Sequence, residues 1–119
     1  LDIVEARKAG GAPANVETVL GNEQNPNLAP SSVDVILIVD AYHEFSYPYE
    51  MGTAMARALK PGGLLVLIEY RAEDRSVPIK RLHKMSEQQA KREMAAVGLE
   101  WVRTEDLLPQ QHFLVFKRP

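Results

Sequence analysis

The chain has 119 residues, 45% of them hydrophobic and 25% charged, with a formal net charge of -2 and no cysteine. Such a size and composition fit one globular domain and exclude a disordered or fibrous chain. The lack of cysteine removes disulfides, thiolate metal sites and thiol nucleophiles together, and the slight acidity gives no general reason to bind nucleic acid or an anionic membrane.

Residues 1–9 read as an amphipathic helix stopped by Gly10, Gly11 and Pro13. The chain starts inside that helix and without Met, so it is expected to be part of something longer or to miss its natural start. No signal-peptide layout is present, and no apolar run reaches the roughly 18 residues of a membrane span. A cytoplasmic protein is expected. Residues 15–20 alternate and carry β-branched side chains, which predicts a short strand. Residues 21–32 are polar and hold Pro26 and Pro30, which predicts a loop.

Val33 to Val39 is the first strong signal. Val35, Ile36, Leu37, Ile38 and Val39 form an unbroken apolar run, which predicts a strand covered on both faces at the centre of a parallel sheet. Asp40 ends the run. Pro48 opens a helix where its missing N–H costs nothing. Met51, Met55, Ala58 and Leu59 then share one helical face, Lys60 occupies the last turn, and Pro61-Gly62-Gly63 ends the helix. Residues 64–68 are a second wholly apolar strand. Strand, helix and strand of these lengths form a βαβ unit with parallel strands and a right-handed crossover.

Residues 69–85 read as irregular and charged. Ser86-x-x-Gln89 is a capping box. It predicts a helix running to about Val97 and stopped by Gly98. Residues 99–104 and 112–117 read as strands, with Trp101 half buried and Pro109 in the loop between them. The two are expected to form an antiparallel pair at the edge of the sheet. The fold class is therefore α/β, with a mostly parallel sheet and a C-terminal antiparallel hairpin.

Ligands of open α/β sheets bind beyond the carboxyl ends of the strands. That rule selects Asp40, Ala41, Tyr42, His43 and Glu44 after the first long strand, Glu69, Tyr70 and Arg71 after the second, and Gly21 with Asn22 after the early one. His43 is suited to general-base work, because imidazole titrates near neutrality, and it is equally suited to a packing role at a turn. Lys80, Arg81, His83 and Lys84, with Arg71 and Arg75 nearby, form either a clamp for an anionic substrate group or a solvated loop balanced by Glu69, Glu73 and Asp74. His43, His83 and His112 have no metal-ligand spacing, so no metal site is expected.

These residues carry a family resemblance. Val33-Asp-Val-Ile-Leu-Ile-Val-Asp40-Ala-Tyr-His-Glu-Phe45, a helix ending Leu59-Lys60-Pro61-Gly62-Gly63, and the strand from Leu64 to Glu69 resemble the fourth and fifth strands of a class I S-adenosylmethionine-dependent methyltransferase. Gly21-Asn22 is similar to the turn after that family's third strand. The resemblance implies a Rossmann-like fold truncated at the N-terminus, with residues 1–119 as one partial domain. The family's Gly-x-Gly cofactor loop, and the acidic residue that grips the ribose, have no counterpart in these residues.

The resemblance further implies that Gly21 and Asn22 meet the adenine and that Asp40 and Ala41 line the methionine end of S-adenosylmethionine. Tyr42 and His43 would face the reacting methyl group. Tyr70, Arg71, His83 and Lys84 would face a small-molecule substrate. Cofactor binding by these residues alone is expected to be weak or absent. A second reading is a non-catalytic module that pairs through a sheet edge. In the family the first strand lies beside the fourth, so without it the edge at residues 35–39 is open and a homodimer is expected.

Overall fold

A computed structural model describes every residue except Ala12, Arg81 and Leu82. The chain runs α1 (Asp2–Ala9), β1 (Val33–Val39), a short 3-10 turn (Tyr42–Glu44), α2 (Pro48–Ala58), β2 (Leu59–Arg71), β3 (Lys84–Met85), α3 (Glu87–Ala96), β4 (Glu100–Glu105) and β5 (Gln111–Lys117). The sheet order is β1-β2-β5-β4, with β3 pairing β2 off this path. β1 and β2 are parallel, in a register running from Val35 opposite Leu64 to Val39 opposite Ile68. β5 is antiparallel to both β2 and β4, so β4 runs the same way as β2 and β5 alone is reversed. This is the Rossmann-like, mostly parallel sheet with a C-terminal antiparallel hairpin.

Several elements follow directly from local chemistry. The Ser86 hydroxyl accepts the Gln89 N–H at 3.1 Å and caps α3. Gly98, at φ +85°, takes the left-handed conformation that lets the chain leave α3. Trp101 is 47% exposed and lies under the Lys91 ammonium, 3.9 Å from the ring centre.

Four expectations are corrected. Residues 15–20 form no strand; alternation favours an extended chain, but a strand needs a neighbour to pair with, and Val16, Val19 and Leu20 stay exposed. The helix after Pro48 ends at Ala58 rather than Lys60. Pro61 biases the residue before it toward extended backbone, so Leu59 and Lys60 already belong to β2. Arg118 Nη1 donates to the carbonyls of Arg57 and Leu59, which closes that helix end. The segment after residue 68 is not wholly irregular, because β2 continues to Arg71 and pairs with the short β3. Finally, β1 is not a central strand covered on both faces.

Alternation places Ile38, Leu65, Leu67, Leu114 and Phe116 on one face of the sheet. There they pack against Met51 and Met55 of α2 and Ala90 and Met94 of α3. On the other face Val35, Leu37 and Val39 remain 56%, 61% and 49% exposed. The helix α1 buries none of its residues. Within the described residues, α2 and α3 cover one side of the sheet, the other side is left open at β1, and β1 is the edge strand.

Candidate functional site

The carboxyl ends of β1 and β2 lie side by side, because the two strands are parallel and in register to Val39 and Ile68. Asp40 leaves β1 with φ +50°, a left-handed backbone that aspartate tolerates better than most residues. Its N–H donates to the Ile68 carbonyl at 2.9 Å. Both of its carboxylate oxygens accept from Gln111 Nε2, at 2.8 and 2.7 Å. Ala41 then starts the 3-10 turn that holds Tyr42 and His43.

His43 is the best-held side chain at this end. Glu69 is fully buried because β2 alternation puts it on the same face as Leu65 and Leu67. One Glu69 oxygen accepts the His43 backbone N–H at 3.0 Å, and the other lies 2.7 Å from His43 Nδ1. A carboxylate accepts and does not donate, so the ring proton sits on Nδ1 and the Nε2 lone pair points away from Glu69. That lone pair faces His83 Nδ1 at 3.2 Å and the Glu44 carboxylate at 3.7 Å. Ligand atoms of His43, Glu44 and His83 all lie within 4.8 Å of one another. The histidines that look scattered in the sequence are thus not scattered in space. His112 stands apart, with Nε2 at 3.0 Å from Glu73.

Tyr42 is turned inward. It is only 3% exposed, and its hydroxyl donates to Glu93 Oε1 on α3 at 2.9 Å. Burial, followed by that bond to Glu93, pushes its pKa well above the ordinary tyrosine value. Its ring packs edge-on against Phe45 at 5.4 Å. Tyr42, His43, Lys84 and Met85 share the wall of a cleft of about 230 Å³.

Gly21 and Asn22 form a tight turn. A Cβ on Gly21 would lie 2.9 Å from the Asn25 carbonyl oxygen, so only glycine fits. Asn22 Oδ1 accepts the N–H groups of Gln24 and Asn25, both at 2.9 Å. Asn22 also lines a cleft of about 410 Å³ whose other wall is Tyr49, Glu50 and Thr53 of α2.

The basic residues are divided. Arg71 Nη2 donates to Asp106 Oδ1 at 2.9 Å and to the Leu108 carbonyl at 3.0 Å. Tyr70 pairs with Lys84 across β2 and β3, and Lys84 Nζ donates to the Asp74 carbonyl at 3.0 Å. Among the described residues of this group, His83 is the one hydrogen-bonded to His43; Arg81 lies outside the described residues. Sequence reasoning missed Glu69 as the partner of His43, Glu93 as the partner of Tyr42 and Gln111 as the partner of Asp40. The parity of Glu69 with Leu65 and Leu67 was the available signal, since a carboxylate on a core face requires a partner.

A family model described as a methyltransferase domain matches residues 2–67. The chain belongs to the class I S-adenosylmethionine-dependent methyltransferase family. Solved structures share the fold. An S-adenosylmethionine-dependent methyltransferase from Aquifex aeolicus superposes with a TM-score of 0.84 at 21% identity, over 98% of this chain and 61% of that one. A protein named as a type 11 methyltransferase from Sulfolobus solfataricus gives a TM-score of 0.74 at 21% identity, over 97% and 66% of the two chains. A methyltransferase from Mesorhizobium loti gives 0.76 at 13% identity, over 98% and 76%. The chain thus spans less than two thirds of the length of the first two. Comparison with curated protein sequences finds no significant match. Among the described residues no helix is long and apolar enough to cross a membrane.

Proposed function

We propose that this methyltransferase-family chain supplies the adenine side and the substrate side of an S-adenosylmethionine-dependent enzyme acting on a small molecule. The observation that carries the reading is His43, locked by buried Glu69 with its Nε2 lone pair directed away from the core, at the paired ends of β1 and β2. The cofactor supplies an electrophilic methyl group. Gly21 and Asn22 would hold the adenine beside the first half of α2, and Asp40 and Ala41 the methionine end.

The donor set fits in part. The Gly21 turn has no room for a Cβ, and Asn22 faces an open cleft. Against this, the Asp40 carboxylate already accepts two contacts from Gln111, and these residues contain no Gly-x-Gly loop. Cofactor binding by the 119 residues is therefore weak. Tyr70, Arg71, His83 and Lys84 border the substrate side. Methyl transfer is driven mainly by proximity and alignment. In it, His43 Nε2 accepts the hydrogen of the attacking group, while Tyr42 positions the turn through Glu93.

Calorimetric titration of S-adenosylhomocysteine tests the reading. A weak saturable heat that Asp40→Ala removes supports it. Equal binding by the variant overturns it.

The open edge favours a second reading, in which β1 pairs with a second copy of the chain as a homodimer. Val35, Leu37 and Val39 form an exposed apolar strand of the kind that invites pairing. Sedimentation equilibrium decides it. A dimer weakened by Leu37→Lys supports the reading, and a monomer at high concentration contradicts it.

A further inference from the structure

The arrangement of His43, His83 and Glu44 has a geometry that a proton relay does not require. A tetrahedral ion bound at about 2.0–2.1 Å to nitrogen and oxygen ligands sets its ligand atoms about 3.3 Å apart. His43 Nε2 lies 3.2 Å from His83 Nδ1 and 3.7 Å from the Glu44 carboxylate, and the three ligand atoms share one sphere of 4.8 Å separation. These contacts bracket the edge of such a tetrahedron.

Glu69 is a separate observation that points to a ligand. A histidine that binds a metal through one nitrogen commonly donates its other N–H to a carboxylate, which fixes the tautomer and the ring orientation. Glu69 does this to His43 from a fully buried position. It leaves Nε2 as a lone pair that no rotation of the ring can redirect, because the Nδ1 bond and the backbone N–H bond hold the ring and the chain together. Glu44 and His83 are less restricted. Glu44 is largely exposed, and His83, also exposed, comes just before β3. Both can close on an ion.

We propose that His43 Nε2, His83 Nδ1 and the Glu44 carboxylate bind one divalent cation of the zinc class, with a fourth position open to the substrate side. On binding, the His83 ring proton moves from Nδ1 to Nε2, so that both imidazoles are neutral and no net proton is lost. Two imidazoles and one carboxylate suit zinc or cobalt and disfavour magnesium, which prefers oxygen ligands. The function of the open position rests on reading this mouth as the substrate side: an acceptor oxygen or nitrogen would coordinate there in place of its hydrogen bond to free His43. Ion binding itself does not depend on that reading.

Cobalt(II) titration of the 119-residue chain, followed by visible absorption and displaced by zinc, tests the proposal. The expected result is one ion per chain with a four-coordinate spectrum, no displacement by magnesium, and at least tenfold weaker binding in His83→Ala. Glu69→Gln should weaken binding about 10–100-fold. Binding unchanged in His83→Ala, or no four-coordinate spectrum at millimolar cobalt, overturns it. His83 is exposed, so His83→Ala is expected to melt like the parent chain, and Glu44→Gln is a second surface variant with the same expected loss. Cofactor titration on the same samples separates the two readings. Cobalt binding with S-adenosylhomocysteine binding that Asp40→Ala leaves unchanged overturns the cofactor reading alone, and Asp40-dependent S-adenosylhomocysteine binding without cobalt binding overturns the metal site alone.

Discussion

Leu65, Leu67, Leu114 and Phe116 lie on one face of the sheet and are sealed beneath α2 and α3, whereas Val35, Leu37 and Val39 on the opposite face are about half exposed or more. The apolar runs of β1 and β2, Val35 to Val39 and Leu64 to Ile68, are alike in composition. The difference lies in the helices, because the apolar faces of α2 and α3 meet only one side. The chemistry follows the covered side. Glu69 shares the parity of Leu65 and Leu67, and burial there is what turns it into a fixed acceptor for His43. A carboxylate one residue earlier would point to the open face and hold nothing.

The largest expected effect contrasts the two faces directly. Leu67→Ala removes a fully buried side chain and should cost about 2–5 kcal/mol. Leu37→Ala, at 61% exposure, should stay within about 1 kcal/mol. Urea melts of the two variants check this, and equal losses would mean that both faces are covered in solution. Glu69→Ala comes next. It leaves the His43 backbone N–H and Nδ1 without their acceptor, and should cost about 1–3 kcal/mol, read as a lower melting midpoint. Ser86→Ala removes the α3 cap and should cost about 1 kcal/mol, visible as a smaller shift in the same melt.

The smallest effect belongs to the rim of the covered side. Burial works against a charged Glu73, but the Glu87 N–H and His112 outweigh it and hold its pKa below the ordinary value of 4.5. A group whose pKa is lowered on folding adds stability above its unfolded value, and that stability is lost as pH falls through the folded one. The stability difference between the parent chain and Glu73→Gln should therefore be steady at neutral pH and shrink as pH drops below about 4.5. A difference independent of pH would contradict the contact.

Much of this fold was legible because its signals are local. The Ser86 cap, the Gly98 stop, the parallel β1–α2–β2 unit and the antiparallel strand pair each depend on residues close in sequence. The failures are long-range. An apolar run tells that Val35 to Val39 is a strand but not how many of its faces find a helix. Alternation at residues 15–20 gives a propensity with no partner strand to realise it. In the site, the strand-end rule reached Asp40, His43 and Glu69 separately. Their pairing, and the approach of His83 to His43 across 40 residues of sequence, required the turn after β1 and the short β3 to be placed in space.

The central claim is that the strand ends of the covered side, and not the open face, form the cofactor site. Amide chemical shifts followed during titration with S-adenosylhomocysteine test it most directly, since they report weak binding residue by residue. The account predicts progressive shifts at Gly21, Asn22, Asp40, Ala41 and His43, with Val35, Leu37 and Val39 unmoved. Shifts confined to the open face would contradict it.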